Sequence, residues 1–229
     1  MIKVVDIIHR IVASMRAVNG AITSITELDG ISTVTSANTL EVNELVTIGV
    51  IEYRVLSADA TKFTVTATGL TDTTWSARDP YFEVGHLVEI NERLTEKDLD
   101  KKLKFQKYPL IVFFTDVTIN RGDKFYYGEL KGHNISILND TVETYSTKQR
   151  YAENIYPILA PLYDELVNKI QKSNRFNEVY PNLKHVAIER PFWGVTTKYG
   201  NKANFVSDPL DAIELTNISL KLKKFNCNT

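Results

Sequence analysis

LIVFFT, residues 110–115, decides how the rest of the chain is read. It is apolar at both odd and even positions, and Tyr108-Pro109 precedes it. A strand with one wet face alternates, whereas a short run without polar positions predicts a central strand covered on both sides. This stretch is therefore the expected heart of the main sheet. Downstream, HNISILN (133–139) reads as a further strand, reached through DVTINRGDKFYYGELKG (116–132). With three glycines and clustered aromatics, that connection predicts a loop or hairpin arm, its tip near Asn120–Asp123. The Arg121-Gly122-Asp123 triplet is too short to signify adhesion.

Ser146 followed by Gln149 is a capping box, and it opens the principal helix, expected to run to about Lys172. Ile155, Ile158, Leu159, Leu162, Leu166 and Ile170 form its apolar stripe. Pro157 and Pro161 fall inside that periodicity. Each removes a backbone donor and crowds the preceding turn, which predicts a bend or break near 156–161. HVAIER (185–190) predicts a strand cut off by Pro191, and 191–211 a long structured loop. In AIELTNISLKLKKF (212–225), Ile213 and Leu215 share one parity while Ile218, Leu220 and Leu222 take the other. One strand can bury both sets only with a bulge near Thr216-Asn217. Lys221, Lys223 and Lys224 would guard its edge against accidental pairing.

Upstream, Val4, Ile8, Ile11, Val12, Met15 and Val18 recur at helical spacing, giving an N-terminal helix that Asn19-Gly20 ends. The character then changes. ISTVTS (31–36), ELVTIGV (44–50), YRVLSA (53–58), KFTVTAT (62–68) and GHLVEINE (85–92) read as short strands separated by small turns. Thr95 with Asp98 predicts the start of a short polar helix to about Gln106, anchored by Leu99 and Leu103. The expected fold is thus α/β of the α+β kind. A mixed or antiparallel sheet is flanked by an N-terminal helix and a long bent helix, with an inserted small antiparallel β-barrel or sandwich. Residues 1–21 and 92–229 would form the core domain and 22–91 the inserted β-module.

Composition narrows function. Lys and Arg number 27 against 28 Asp and Glu, a formal charge of -1. That lacks the basic excess of a duplex-binding protein. The single cysteine, Cys227, excludes an intrachain disulfide and a cysteine-built metal site. No run approaches the roughly 18 apolar residues of a membrane span, and the opening lacks an uninterrupted signal-peptide core. There is no phosphate-binding Gly-rich loop, no GxGxxG, no HExxH and no GxSxG. His9, His86, His133 and His185 lie in separate segments, the first on a helix flank and the others where strands begin. Asp116 with Asp123, and Asp208 with Asp211, could pair as acid and base, but turn and capping roles explain them as well. No catalytic residue, cofactor or metal is expected, and the chain reads as a non-enzyme. The suggestive residues are aromatic: Phe125, Tyr126 and Tyr127 beside Arg121 in one loop, and Phe192, Trp193 and Tyr199 in another. Rings of this kind supply rigid contact area at interfaces. A non-viral binding or adaptor protein, with carbohydrate as one ligand class, is the competing use of them.

The order of segments resembles the neck and tail-completion proteins of tailed bacteriophages, especially the tail terminators. It consists of the N-terminal helix, the β-insertion, YPLIVFFTDV (108–117), the arm ending HNISILNDT (133–141), the bent helix YAENIYPILAPLYDELVNKI (151–170) and SDPLDAIELTNISLKLK (207–223). LVTIGVIEYRVLSADATKFTVTAT (45–68) is also similar to small β-barrel modules of phage structural proteins. The resemblance covers most of the chain in outline and transfers no catalytic residue. It implies a virion protein, assembled in the host cytoplasm, whose copies form a ring, hexameric or higher, at the head–tail junction or tail end. Portal or neck proteins and tail proteins would be its partners, with double-stranded DNA passing close by and no membrane involved.

Overall fold

The computed structural model describes residues 4–15, 19–40, 42–77, 80–99, 107–114, 118–120, 129–177, 183–198, 201–204 and 208–223. It is an α+β fold with an N-terminal helix, a long bent helix and two large sheets. Helix α1 (Val4–Met15) presents Val4, Ile8, Ile11, Val12 and Met15 of the stripe read from the sequence to the interior, together with Ile7, while Val18 lies outside the described residues.

The first sheet contains β1 (Asn19–Ala21), β2 (Ser24–Leu28), β3 (Ile31–Thr35), β4 (Leu45–Ile48), β5 (Ile51–Asp59), β6 (Lys62–Thr66) and β7 (Thr74–Ser76). Its order is β1-β7-β4-β5-β6-β3-β2, antiparallel throughout. β1 and β2 are joined by only Ile22 and Thr23 yet lie at opposite edges. So short a link spans no more than about 10 Å, which obliges the sheet to curl until its edges nearly meet. β5 is the corner strand: its first half pairs β4, its second half pairs β6, and a bulge separates Val55 from Ser57. Val34, Val46, Ile48, Val55, Phe63, Val65 and Trp75 fill the half-barrel. The Asp29-Gly30 turn has φ of 51° and 79°, the doubly left-handed geometry that favours Asp-Gly in a two-residue hairpin.

The second sheet runs β12-β16-β11-β9-β8, with β10 beside β11 and β13 beside β16. Its strands are β8 (Tyr81–Gly85), β9 (Leu110–Phe114), β10 (Thr118–Asn120), β11 (Glu129–Asp140), β12 (Phe176–Asn177), β13 (Val186–Trp193) and β16 (Leu210–Leu222). β8 and β9 are parallel and joined through α2 (Leu87–Leu99); the other pairs are antiparallel. β14 (Val195–Lys198) and β15 (Asn201–Asn204) form a separate hairpin inside the stretch expected as loop. On β9, Ile111 and Phe113 join the core under α1 and the long helix, while Leu110 and Val112 join the core under α2. The central strand is covered on both faces, as its unbroken hydrophobicity required.

The strand expected at 85–92 is instead the start of α2, and residues 81–91, expected in the β-module, belong to the second sheet and its helix. His86 caps that helix: its Nδ1 accepts the Val88 N–H at 3.3 Å, and Glu89 Oε2 accepts the His86 N–H at 3.1 Å. Helix formation then places Ile90 and Leu94, four residues apart, on the buried face. Thr95 lies within the helix, its hydroxyl donating to the Asn91 carbonyl. Leu99, the expected anchor, is exposed, and Leu103 lies outside the described residues.

The capping box forms as read, with Gln149 Oε1 accepting the Ser146 N–H at 2.9 Å. Beyond α3 (Thr147–Arg150) the chain winds as a π-helix over Tyr151–Leu159 before α4 (Ala160–Lys172). Pro157 lies in the wider π turns, where ring crowding and the missing donor are absorbed, and Pro161 falls in the first turn of α4, where proline is tolerated. The helix therefore bends without breaking. The anticipated bulge in β16 sits at Asn217, with φ of 55°. It carries Ile213, Leu215, Ile218 and Leu220 into one core despite their change of parity.

Candidate assembly surface

Phe192 and Trp193 end β13, which does not stop at Pro191. The strand continues to Trp193 by skipping register between Arg190 and Trp193. Pro191 has no N–H to contribute to the ladder, and Phe192 takes a φ of 61° across the gap. That strained turn is held in place. The Phe192 N–H donates to Asp211 Oδ1 at 3.0 Å, and the Arg150 guanidinium lies 3.8 Å from the Phe192 ring centroid. Phe192 remains 36% exposed, whereas Trp193 is 9% exposed. The Trp193 ring stacks on Phe114 at 6.3 Å and its Nε1 donates to Glu214 Oε1 at 2.8 Å. Glu214 also accepts from Arg190 Nε. The glycan-binding alternative needs an open indole face, and this one is packed against its own domain.

Beneath Phe192 lies a buried polar network. Arg150 is 2% and Asp211 0% exposed at the side chain, and Arg150 Nη1 donates to Asp211 Oδ1 at 2.8 Å. The remaining guanidinium donors reach the carbonyls of Tyr145, Val142 and Glu143. Asp211 Oδ2 accepts from Asn154 Nδ2 at 2.9 Å, and Asn154 Oδ1 accepts from Asn139. One network thus ties the 142–145 turn, the π-helix, the end of β11 and the β13 bulge to the start of β16. Its function is positional: it fixes where the β14–β15 hairpin leaves the sheet.

Other sequence candidates receive structural roles. Asp208 accepts from Lys107 Nζ at 2.6 Å and Tyr108 Oη at 2.7 Å. His9 stacks on Phe82. His185 Nδ1 faces the Leu183 carbonyl, so it carries the proton and Nε2 accepts the Tyr163 hydroxyl at 2.6 Å. Among the described residues no group of three His, Cys, Asp or Glu side chains is placed to hold a metal. No helix among them is long and apolar enough to cross a membrane. Arg121, Phe125, Tyr126, Tyr127, Tyr199, Asp116, Asp123 and the His133 side chain lie outside the described residues.

Sequence reasoning missed a cleft of about 290 Å³ between the half-barrel and the second sheet. Glu44, Thr47, Glu52 and Ser76 face Tyr81, Tyr108, Asn139, Asp140 and Ile158 across it. Arg54 spans the junction, donating to Glu153 Oε2 at 2.6 Å and to the Ala152 carbonyl at 3.2 Å. Desolvation in the cleft pushes the Glu52 carboxyl above its ordinary pKa, the Asp140 charge adds to this, and Arg54 opposes it. Asp140 is also raised, first by desolvation and then by Asp208, against a backbone hydrogen bond and Lys107. A carboxyl with a raised folded-state pKa contributes stability below its ordinary pKa and loses it as pH rises through the raised value. Glu52→Gln is therefore expected to flatten part of the decline in melting temperature just above the ordinary carboxylate range, measured by thermal melts across acidic pH. An unchanged pH profile would remove Glu52 from this account.

The sequence matches no protein-family model and no characterised protein.

Proposed function

We propose that this chain is a structural subunit of a tailed-bacteriophage particle, one of several copies forming a ring at the head–tail junction or tail end. The reading rests on the segment resemblance, and the observation that carries it furthest is the shape of the second sheet. Among the described residues β11 pairs β9 through Ile135–Leu138, and it continues against β16 as far as Glu129↔Lys221 and against β10 as far as Asn120↔Glu129. A ribbon of β10, β11 and β16 thus runs on where β9 has ended, and the β14–β15 hairpin leaves the neighbouring edge. Arms of this kind reach adjacent subunits, and a heterologous contact that closes by rotation gives a ring. Portal or neck proteins on one side and tail proteins on the other are the proposed partners.

Native mass measurement with negative-stain imaging tests the proposal. A discrete ring of six or more copies is expected, with trypsin cutting at Arg121 and Lys124 in free subunits and failing to cut after assembly. A chain that stays monomeric at every attainable concentration, its arm equally cleavable throughout, would overturn it.

A further inference from the structure

Charge is divided unevenly along the chain. Residues 19–76, the half-barrel, hold seven acidic side chains and two basic ones, a net of -5, so the remainder of a chain at -1 carries +4. The strand registers show where part of that acidity lies. Leu28 pairs with Ile31, Ile31 with Thr66, and Ile48 with Ile51, so the β2–β3 and β4–β5 turns stand at the same end of the curled sheet. The 67–73 segment joins them there. Its Gly69 N–H donates to Glu27 Oε2 at 2.8 Å, and the Asp72 carboxylate lies 2.6 Å from where a Cβ on Gly49 would stand. This end exposes Val50 (97%), Leu28 (75%), Ile51 and Ile31. The charges at these turns are Glu27, Asp29, Glu52 and Asp72, all acidic. A rim combining large exposed aliphatics with charge of one sign is an unusual solvent-facing surface and a normal docking one.

The core carries the complement at the far end of the long helix. Lys172 closes α4, Arg175 follows it, and β12 pairs with β16 at Leu222 and Lys221. The Lys223 N–H donates to the Arg175 carbonyl at 2.9 Å, which draws Lys223 to the same place. Lys172 and Arg175 are exposed, and so are Lys184 and Val186 at the head of β13 along the same edge of β16. Lys172 also complements the negative end of the helix dipole, but a dipole needs neither the residues on β16 nor those on the neighbouring edge.

We propose that copies of this chain join head to tail. The apolar, acidic turn end of one half-barrel seats on the basic end of α4 and β16 in the next copy. The occupant is a second copy because both halves of the match lie on one chain and their charges nearly cancel. The proposal rests on the ring reading above and names the surfaces that would build it.

Charge exchange tests it. Glu27→Lys/Asp72→Lys and Lys172→Glu/Arg175→Glu should each weaken self-association at least about tenfold by sedimentation velocity, because like charges then meet. All four changes in one chain should restore it, as should mixing the two double variants. Leu28→Ser/Val50→Ser, at positions too exposed to support folding, should weaken association without altering the melting temperature. Raising salt from about 50 to 500 mM should loosen the native assembly, the interacting charges being screened. A ring that forms with unchanged affinity in all these variants would overturn this interface and leave the ring reading standing. An unmodified chain that never self-associates would overturn both.

Discussion

Replacing Arg150 by methionine is expected to lower the unfolding free energy by about 3–5 kcal/mol, the cost of stranding a buried charge. Methionine fills much of the same volume, so little of this loss would come from a cavity. The loss comes from Asp211, which is fully buried and would keep only the Phe192 N–H and Asn154 Nδ2 as donors. A carboxylate taken out of water needs its countercharge more than it needs two neutral donors. Arg150→Met/Asp211→Leu should recover much of the stability, since removing both charges abolishes the desolvation cost along with the attraction. The recovery would be incomplete because the Phe192 N–H and Asn154 Nδ2 then lack their acceptor. Denaturant titration of the two single variants and the double variant measures this directly. A single-variant cost below about 1 kcal/mol would mean that water reaches the pair, and the network could no longer be credited with fixing the β13 bulge.

How far these features were legible depends on whether their cause is local. The central strand, the capping box and the β16 bulge were readable because each is written in adjacent residues. Asn217 could be anticipated from the parity change between Leu215 and Ile218, and Asn is among the residues that tolerate a left-handed φ. α2 was missed for an equally local reason. Its cap is a histidine, outside the usual Ser, Thr, Asp and Asn set, and its apolar face has only Leu87, Ile90 and Leu94 to announce it. β1 and β7, three residues each, are too short to show alternation. The Arg150–Asp211 pair had no signal at all, because the partners stand 61 residues apart and meet only once β16 lies beside β11. The Glu52–Asp140 cleft is hidden for the same reason, as it exists only where two sheets face each other. Of the candidate surface, the aromatic signal located Phe192 and Trp193 but could not say which ring faces outward. Burial under α2 decides that for Trp193, and the positive φ with Arg150 beneath decides it for Phe192.

Phe63→Ala is expected to unfold the half-barrel while the second sheet stays folded. Phe63 is fully buried and meets Trp75 edge to face, with ring centroids 5.6 Å apart and planes at 73°. Truncating such a residue costs about 3–5 kcal/mol through lost transfer energy and the cavity left behind. The core is small: ten buried residues of this cluster, Phe63 included and two of them alanines, hold the sheet together among those described. A unit of this size has roughly 3–5 kcal/mol in hand, so the loss is comparable to its whole stability. The cores on either face of the second sheet share no residue with it, and Arg54 bridges the junction through polar contacts to Glu153 and the Ala152 carbonyl. Hydrogen exchange should therefore show β3–β6 amides losing protection while β9, β11 and β16 keep theirs. Self-association through the head-to-tail interface should disappear in the same variant, since the turns that carry Leu28 and Val50 depend on that sheet. Equal loss of protection across both sheets would mean that the half-barrel and the core fold as one cooperative unit, and the module could not then act as a separately stable docking element.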